Sequence, residues 1–281
     1  MLLTQEDNDK AAVIETLRPD FIIVDATFLS GGLSNRCLKL TTEDGRRFVW
    51  RPEAASAKAF GLSRSHEFNA LKTASDQGLA APPVKYFNNG LLNPWIDGST
   101  LEHVSLETMA ELQDRVHGLP PLNNRFDPFD KGAVYFNSLE KEFKSPRLIA
   151  LHRHFQENRF SSGLELTTCH YDLGYYNLVQ EKSGEIKILD WEYAALGDPA
   201  LDLVMTSLAN GLDLETLVDR YCHIRRIKVV EKWQSACVRW QPVADYLGAL
   251  WYALGFQLYG EPLYQKRRDD FLAKAEASLP R

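Results

Sequence analysis

The stretch that most limits what this chain can become is CHYDLGYYNLVQEKSGEIKILDWEY, residues 169–193. Two apolar-rich runs, NLVQE and EIKILDW, flank Lys182-Ser183-Gly184, a pattern that predicts a tight β-hairpin. A turn centred near Ser183 places Asn177 almost opposite Leu189 and diagonal to Asp190, so both polar side chains fall at the open end of the hairpin. Asp172 precedes Asn177 in a loop that must pass that same end. Two carboxylates and one amide gathered there make an oxygen-rich set suited to magnesium, which takes few protein ligands and keeps waters or substrate phosphates. Taken singly, Asp172 and Asn177 read as turn formers and Asp190 as the end of a strand. The joint spacing, H-x-D-x-x-x-x-N followed by a hairpin that ends I-L-D, is what points to a functional site.

Upstream, from about Phe21 to Asp97, strand-like runs alternate with turns: FIIVDATFLS, CLKLTTEDGRRFVWR around Glu43-Asp44-Gly45, then VKYF and LLNPWI around Asn88-Asn89-Gly90. One helix interrupts them from about Ser63 to Gln77, closed by Gly78 and followed by Pro82-Pro83. After Gly98 longer helical stretches take over, such as LETMAELQDRVHG and SPRLIALHRHFQ. The expected fold class is α+β with two lobes. A small antiparallel-sheet lobe with one helix, residues 1–97, joins a larger, mainly helical lobe, residues 98–281, through a hinge at about 94–98. In the first lobe, Glu67 shares a helical stripe with Ala70, Leu71 and Ala74 and so faces inward. A carboxylate there needs a cation, and Arg51 near the end of the FVWR strand is the candidate. A surface arginine with a solvated glutamate is the alternative.

Composition narrows the function classes. The 281 residues are 44% hydrophobic and 11% aromatic, enough to bury a sizeable core. Lys and Arg number 32 against 38 Asp and Glu, a formal net charge of -6 without a long basic run, which argues against a nucleic-acid partner. Cys37, Cys169, Cys222 and Cys237 are scattered, with no C-x-x-C pair, so neither a zinc site nor a disulfide framework is indicated. The acidic start, MLLTQEDNDK, lacks the features of a signal peptide, and no apolar run is long enough to span a bilayer. A cytoplasmic location is expected.

HYDLGYYN followed by ILDWEYAALGDPALDL resembles the catalytic and metal-binding segments of choline/ethanolamine kinases, bacterial thiamine kinases and aminoglycoside phosphotransferases, which share a protein-kinase-like fold. The resemblance spans about residues 28–260 and is strongest from 169 to 204. It implies ATP as co-substrate, Mg2+ as cofactor and a small hydroxylated acceptor. Asp172 would be the catalytic base, with Asn177 and Asp190 holding magnesium on the phosphates. Asp202 matches an aspartate that braces the catalytic loop, and it reads equally as the first-turn carboxylate of a helix capped by Asp198. His170 matches a packed structural histidine. Arg51, paired with Glu67, stands where protein kinases carry the strand lysine that reaches the α- and β-phosphates. The turn SGGLSN, with Ser34 and Asn35, resembles the loop that covers ATP phosphates, and it lacks the G-x-x-x-x-G-K-[ST] of a P-loop. The Pro94 carbonyl and Ile96 amide resemble an adenine-binding hinge.

For the acceptor, the resemblance places Trp251, and with it Tyr252, across the cleft from Glu192 and Tyr193. Aromatic faces with a carboxylate suit a cationic alcohol of the choline, ethanolamine or thiamine class. The sequence departs from the family in the Leu-Gly-Tyr-Tyr between Asp172 and Asn177, and in Gly248, which stands where choline kinases show the first of two tryptophans. An aminoglycoside phosphotransferase is the alternative within the fold. A metal-dependent phosphohydrolase using Asp190, Asp198 and Asp202 would gather several histidines, and only His170 of the seven lies in this cluster. A non-catalytic pseudokinase usually loses the base or a metal ligand, and all three are present.

Overall fold

The computed structural model describes residues 5–29 and 37–279. The chain starts with helix α1 (Gln5–Leu17) and strands β1 (Ile23–Phe28), β2 (Leu38–Thr42) and β3 (Arg47–Pro52). Short α2 (Ala55–Ala59) and α3 (Arg64–Ser75) follow, then β4 (Lys85–Phe87) and β5 (Gly90–Pro94). The strands form one antiparallel sheet in the order β1-β2-β3-β5-β4. Because side chains alternate along a strand, Leu38, Leu40, Phe48 and Trp50 share one face and bury it with Val13 and Leu17 of α1. Lys39, Val49 and Arg51 therefore take the opposite face. Gly78 follows α3 with φ +70, the left-handed conformation expected of the residue that ends it.

The rest is mainly helical. Strand β6 (Gly98–Thr100) leads to α4 (Leu106–His117), α5 (Pro128–Ser138) and α6 (Pro146–Glu157), then β7 (Thr167–Cys169), the hairpin β8 (Leu178–Glu181) and β9 (Ile186–Ile188), and β10 (Ala195–Gly197). Helices α7 (Pro199–Asn210), α8 (Leu214–Ile224), α9 (Val230–Tyr259) and α10 (Pro262–Ala277) complete it. Side chains of Ser105, Asp127, Ser145, Asp198 and Asp213 accept from first-turn N–H groups of α4, α5, α6, α7 and α8, so local chemistry starts each helix where it begins. The α+β, two-lobed arrangement expected from the sequence is what forms. Strand β6 pairs with β8, and β7 with β10, pairings the sequence did not announce. No helix among the described residues is long and apolar enough to cross a membrane.

A second connection between the lobes also escaped the sequence. Ala57, Phe60 and Leu62, which follow β3, are buried in the core of the helical lobe rather than under the sheet. The Phe60 ring lies 5.3 Å from Trp251 and 5.8 Å from Tyr135. Lys131 Nζ donates to the carbonyls of Phe60 at 2.7 Å and Gly61 at 3.1 Å, and Ser138 Oγ to that of Ala59 at 3.0 Å. Residues 55–62 thus form a strap pinned to α5 and α9.

Two predictions follow from this packing. Phe60→Ala should lower unfolding stability by about 3–5 kcal/mol, the usual cost of emptying a buried aromatic site, as read by urea denaturation. A loss below about 1 kcal/mol would mean the strap is not part of the core. Asp245 on α9 is 9% exposed, and its Oδ1 has no hydrogen-bond partner among the described residues. Burial pushes its carboxyl up to about 6, with Lys274 opposing. The folded chain holds that proton longer than the unfolded chain, so the stability linked to it falls as pH rises from about 4 to about 6. Asp245→Asn should therefore raise Tm at pH 7 and lose its advantage below about pH 4. Thermal melts across pH check it, and an equal effect at both ends would contradict it.

Candidate active site

The hairpin sets the geometry. Leu178 pairs with Ile188, and the Leu189 N–H donates to the Asn177 carbonyl at 2.7 Å, so Asn177 and Leu189 stand opposite each other at the open end. The buried Asn177 amide nitrogen donates to Asp172 Oδ2 and to the Asp172 carbonyl, both at 2.9 Å. Its amide oxygen is the atom left to act as a ligand. Asp172 Oδ1 accepts from the Tyr176 hydroxyl at 2.6 Å. Burial and the nearby Asp190 charge push the Asp172 carboxyl up to about 7, against the two hydrogen bonds that favour its charged form. A carboxylate poised near neutrality is a competent proton acceptor.

Two buried groups hold the loop that carries Asp172. Burial holds the His170 imidazole down to about 4, so it is neutral. Its Nε2–H donates to the Leu189 carbonyl at 3.1 Å while Nδ1 accepts from the Asp172 N–H at 3.3 Å, one tautomer serving both contacts. His170 thereby ties the loop to the residue before Asp190. Fully buried Asp202 accepts from the backbone N–H groups of His170 at 3.0 Å and Tyr171 at 2.7 Å. Gln113 Nε2 at 2.6 Å and His117 Nε2 at 3.0 Å complete its partners. These contacts hold Tyr171 at φ 62, a conformation few non-glycine residues adopt. Asp190 is likewise left-handed, at φ 58 and ψ 60, which turns its carboxylate out of the strand direction.

The sheet lobe meets these groups through a buried ion cluster. Arg51 Nε lies 2.8 Å from Glu67 Oε1, while Nη2 lies 2.5 Å from Asp190 Oδ1 and 3.0 Å from Glu192 Oε2. The Arg51–Glu67 pair expected from helix phase is present. Arg64, which drew no attention in the sequence, is 1% exposed and contacts Glu67 Oε2 at 2.6 Å and Glu192 Oε2 at 2.7 Å. Its Nε donates to the Pro52 carbonyl at 3.2 Å. Burial disfavours charge on both guanidiniums, yet the surrounding carboxylates hold both above the ordinary arginine value.

Glu192, expected from the sequence with the acceptor, bonds to Arg51 and Arg64 in the cluster. A buried carboxylate demands a cation, and these two supply it. Tyr193 and Trp251 do come together: Trp251 Nε1 donates to the Tyr193 hydroxyl at 2.8 Å. The cation facing the Tyr193 ring is the chain's own Lys131, 5.4 Å from its centroid. A cleft of about 1130 Å3 between α3 and α5 is lined by Glu192, Tyr193 and Lys131. In residues 94–98, expected from the sequence as a hinge, the Trp95 N–H donates to the Arg47 carbonyl at 2.9 Å, which makes 47/95 and 49/93 the bonded pairs of the ladder. The Pro94 carbonyl and Ile96 N–H therefore point away from β3. Ser34 and Asn35 lie outside the described residues. Besides Arg64, sequence reasoning missed Tyr176, whose only signal was its place beside Asn177.

A family model described as "Phosphotransferase enzyme family" matches residues 25–233. The chain belongs to that family. It is a small-molecule kinase. A thiamine kinase of Shigella boydii is 25% identical over 246 residues, covering 87% of this chain and 88% of that protein. A thiamine kinase of an Escherichia coli O139:H28 strain matches with the same identity and coverage. Among solved structures, choline kinase from Streptococcus pneumoniae superposes with a TM-score of 0.74 at 18% identity, covering 97% of this chain and all of that one. Plasmodium vivax ethanolamine kinase gives 0.71 at 14%, covering 100% and 90%. These superpositions confirm the protein-kinase-like fold.

The ion cluster makes its own prediction. Arg64→Met leaves Glu67 and Glu192 to Arg51 alone and should cost about 3–5 kcal/mol of stability in urea denaturation, as when one partner of a buried pair is removed. Adding Glu192→Gln to that variant should recover part of the loss. A loss below about 1 kcal/mol would show that water screens the cluster.

Proposed function

We propose that this kinase moves the γ-phosphoryl group of ATP onto the hydroxyl of a small cationic alcohol, with Asp172 as the base. The observation that carries the proposal is the Asp172 carboxylate, held by Tyr176 and Asn177 beside Asp190 and pushed to a near-neutral pKa. Asp172 takes the hydroxyl proton as the acceptor oxygen bonds to the γ-phosphorus. The bond from that phosphorus to the bridging oxygen breaks, and ADP leaves with the electron pair.

The donors at the open end of the hairpin are the Asn177 amide oxygen and the Asp190 carboxylate. This set is all oxygen and hard, which fits Mg2+ better than a soft-ligand metal. Bound there, the ion would offset the charge of the phosphates. Arg51 keeps Glu67 as a partner when it leaves Asp190, so its guanidinium can turn to the α- and β-phosphates without stranding a buried carboxylate. The lobes divide at about residue 97, where the Pro94 carbonyl and Ile96 N–H would take the adenine edge. The loop with Ser34 and Asn35 would cover the phosphates.

For the acceptor, charge is the guide. With Asp172 in its charged form, Asp172, Asp190, Glu67 and Glu192 outnumber Arg51, Arg64 and Lys131 by one before any nucleotide phosphate enters. A cation is favoured there on Coulombic grounds. Tyr176 and Tyr252, with Trp251 and Tyr193 behind, offer aromatic surface near Asp172. The curated relatives named thiamine kinase support a cationic heteroaromatic alcohol of the thiamine class.

Asp172→Asn should lower kcat by at least about a hundredfold while MgATP affinity stays within about threefold, because the base acts on the acceptor and does not hold the nucleotide. Steady-state rates and calorimetric titration check this, and full turnover in the folded variant would remove Asp172 from the role. ATP turnover screened over thiamine, choline, ethanolamine, an aminoglycoside and a neutral sugar alcohol should be fastest with a cation. Preference for the neutral alcohol would overturn the acceptor class while leaving the kinase in place.

A further inference from the structure

The sheet face that carries Arg51 holds a buried polar atom without a hydrogen-bond partner among the described residues. Asn93 is the penultimate residue of β5 and pairs with Val49 of β3, while Leu91 pairs with Arg51. Directly paired residues share a face, so Asn93, Val49 and Arg51 project from the side of the sheet that meets Asp190. Lys39 pairs with Val49 and extends the same row. Asn93 Oδ1 is buried and has no hydrogen-bond partner among the described residues. A buried amide oxygen without a donor loses its water and gains nothing in return, and such a group calls for a ligand or a structural reason.

We infer that Asn93 is a base-reading residue whose Oδ1 accepts an N–H from the 6-amino group of a purine held against Pro94 and Ile96. This rests on the nucleotide placement in the proposed function and adds to it a reason for choosing adenine. An extended backbone sends the Pro94 carbonyl and the Ile96 N–H to one side, and β3 uses neither. They match the adjacent donor and acceptor of an adenine edge, and the carbonyl takes one hydrogen of the 6-amino group. The second hydrogen of that group needs another acceptor. Asn93 precedes Pro94 and carries its oxygen, without a partner among the described residues, on the sheet face that bears Arg51. A 6-oxo purine would instead set oxygen against oxygen, unless the amide turned over to donate.

Isothermal titration of the full chain with the magnesium complexes of ATP, purine riboside triphosphate and ITP tests the inference without reference to turnover. Wild type should bind ATP more tightly than either analogue. Asn93→Leu, which keeps the volume and removes the acceptor, should weaken ATP by about three- to tenfold and leave purine riboside triphosphate unchanged. Asn93→Asp, an acceptor that cannot turn over to donate, should keep the preference for ATP over ITP. An unchanged ratio of ATP to purine riboside triphosphate affinity in Asn93→Leu overturns the role of Asn93 alone, whereas equal binding of ITP and ATP by wild type overturns the placement at Pro94 and Ile96 as well. If wild type fails to bind ATP, the nucleotide placement falls and this inference with it.

Discussion

Everything at this site depends on two guanidiniums buried among carboxylates that come from both lobes. Arg51 arrives on a strand, Arg64 and Glu67 on α3, and Asp190 and Glu192 from the segment after the hairpin. Taking these charges out of water is costly, and only their mutual contacts offset it. Such a cluster adds little net stability over a well-packed apolar core. What it does is fix register: neither α3 nor the segment after β9 can shift without stranding a charge. Arg64 has a distinct part in this. It gives Glu67 and Glu192 a second cationic partner beside Arg51.

On the other side of the hairpin the problem is backbone strain rather than charge. Tyr171 and Asp190 both have positive φ, which costs roughly 1–3 kcal/mol per residue and needs surrounding structure to hold it. Asp202 and His170 are that structure. Asp202 collects two consecutive N–H groups of the loop, and His170 spans from the Asp172 amide to the Leu189 carbonyl. Both are buried and neither needs to touch a substrate. Their position explains how a partly buried Asp172 can sit beside Asp190 without the loop relaxing away from it.

How much of this was legible in the sequence follows the range of each interaction. The hairpin was legible because its turn is local: Gly184, at φ 90, closes the Lys182-Ser183-Gly184 turn, and register then follows by counting. The end of α3 at Gly78 was local in the same way, and helix phase was enough to turn Glu67 inward. Arg64 was not legible, because an arginine in the first turn of a helix usually faces water, and one of the two carboxylates that hold it inside, Glu192, lies 128 positions away. That same distance hid the true environment of Glu192. Residues 55–62 carry no strand or helix period long enough to register, so nothing local showed that Phe60 belongs to the core of the other lobe. Strands β6, β7 and β10 are three residues each, too short for alternation to be seen.

The strap and the ion cluster together limit how the cleft can open. With Phe60 buried beside Trp251 and Lys131 bonded to the carbonyls of Phe60 and Gly61, the chain between β3 and α3 cannot follow a swinging sheet. With Arg64 bonded to Glu192, the start of α3 is tied to the helical lobe as well. The sheet is joined to α3 as well: Leu91 of β5 packs in one core with Ala70, Leu71 and Ala74, and Phe68 of α3 meets Tyr86 of β4. Arg51 closes the set, reaching from its strand to Glu67 on α3 and to Asp190 and Glu192 in the helical lobe.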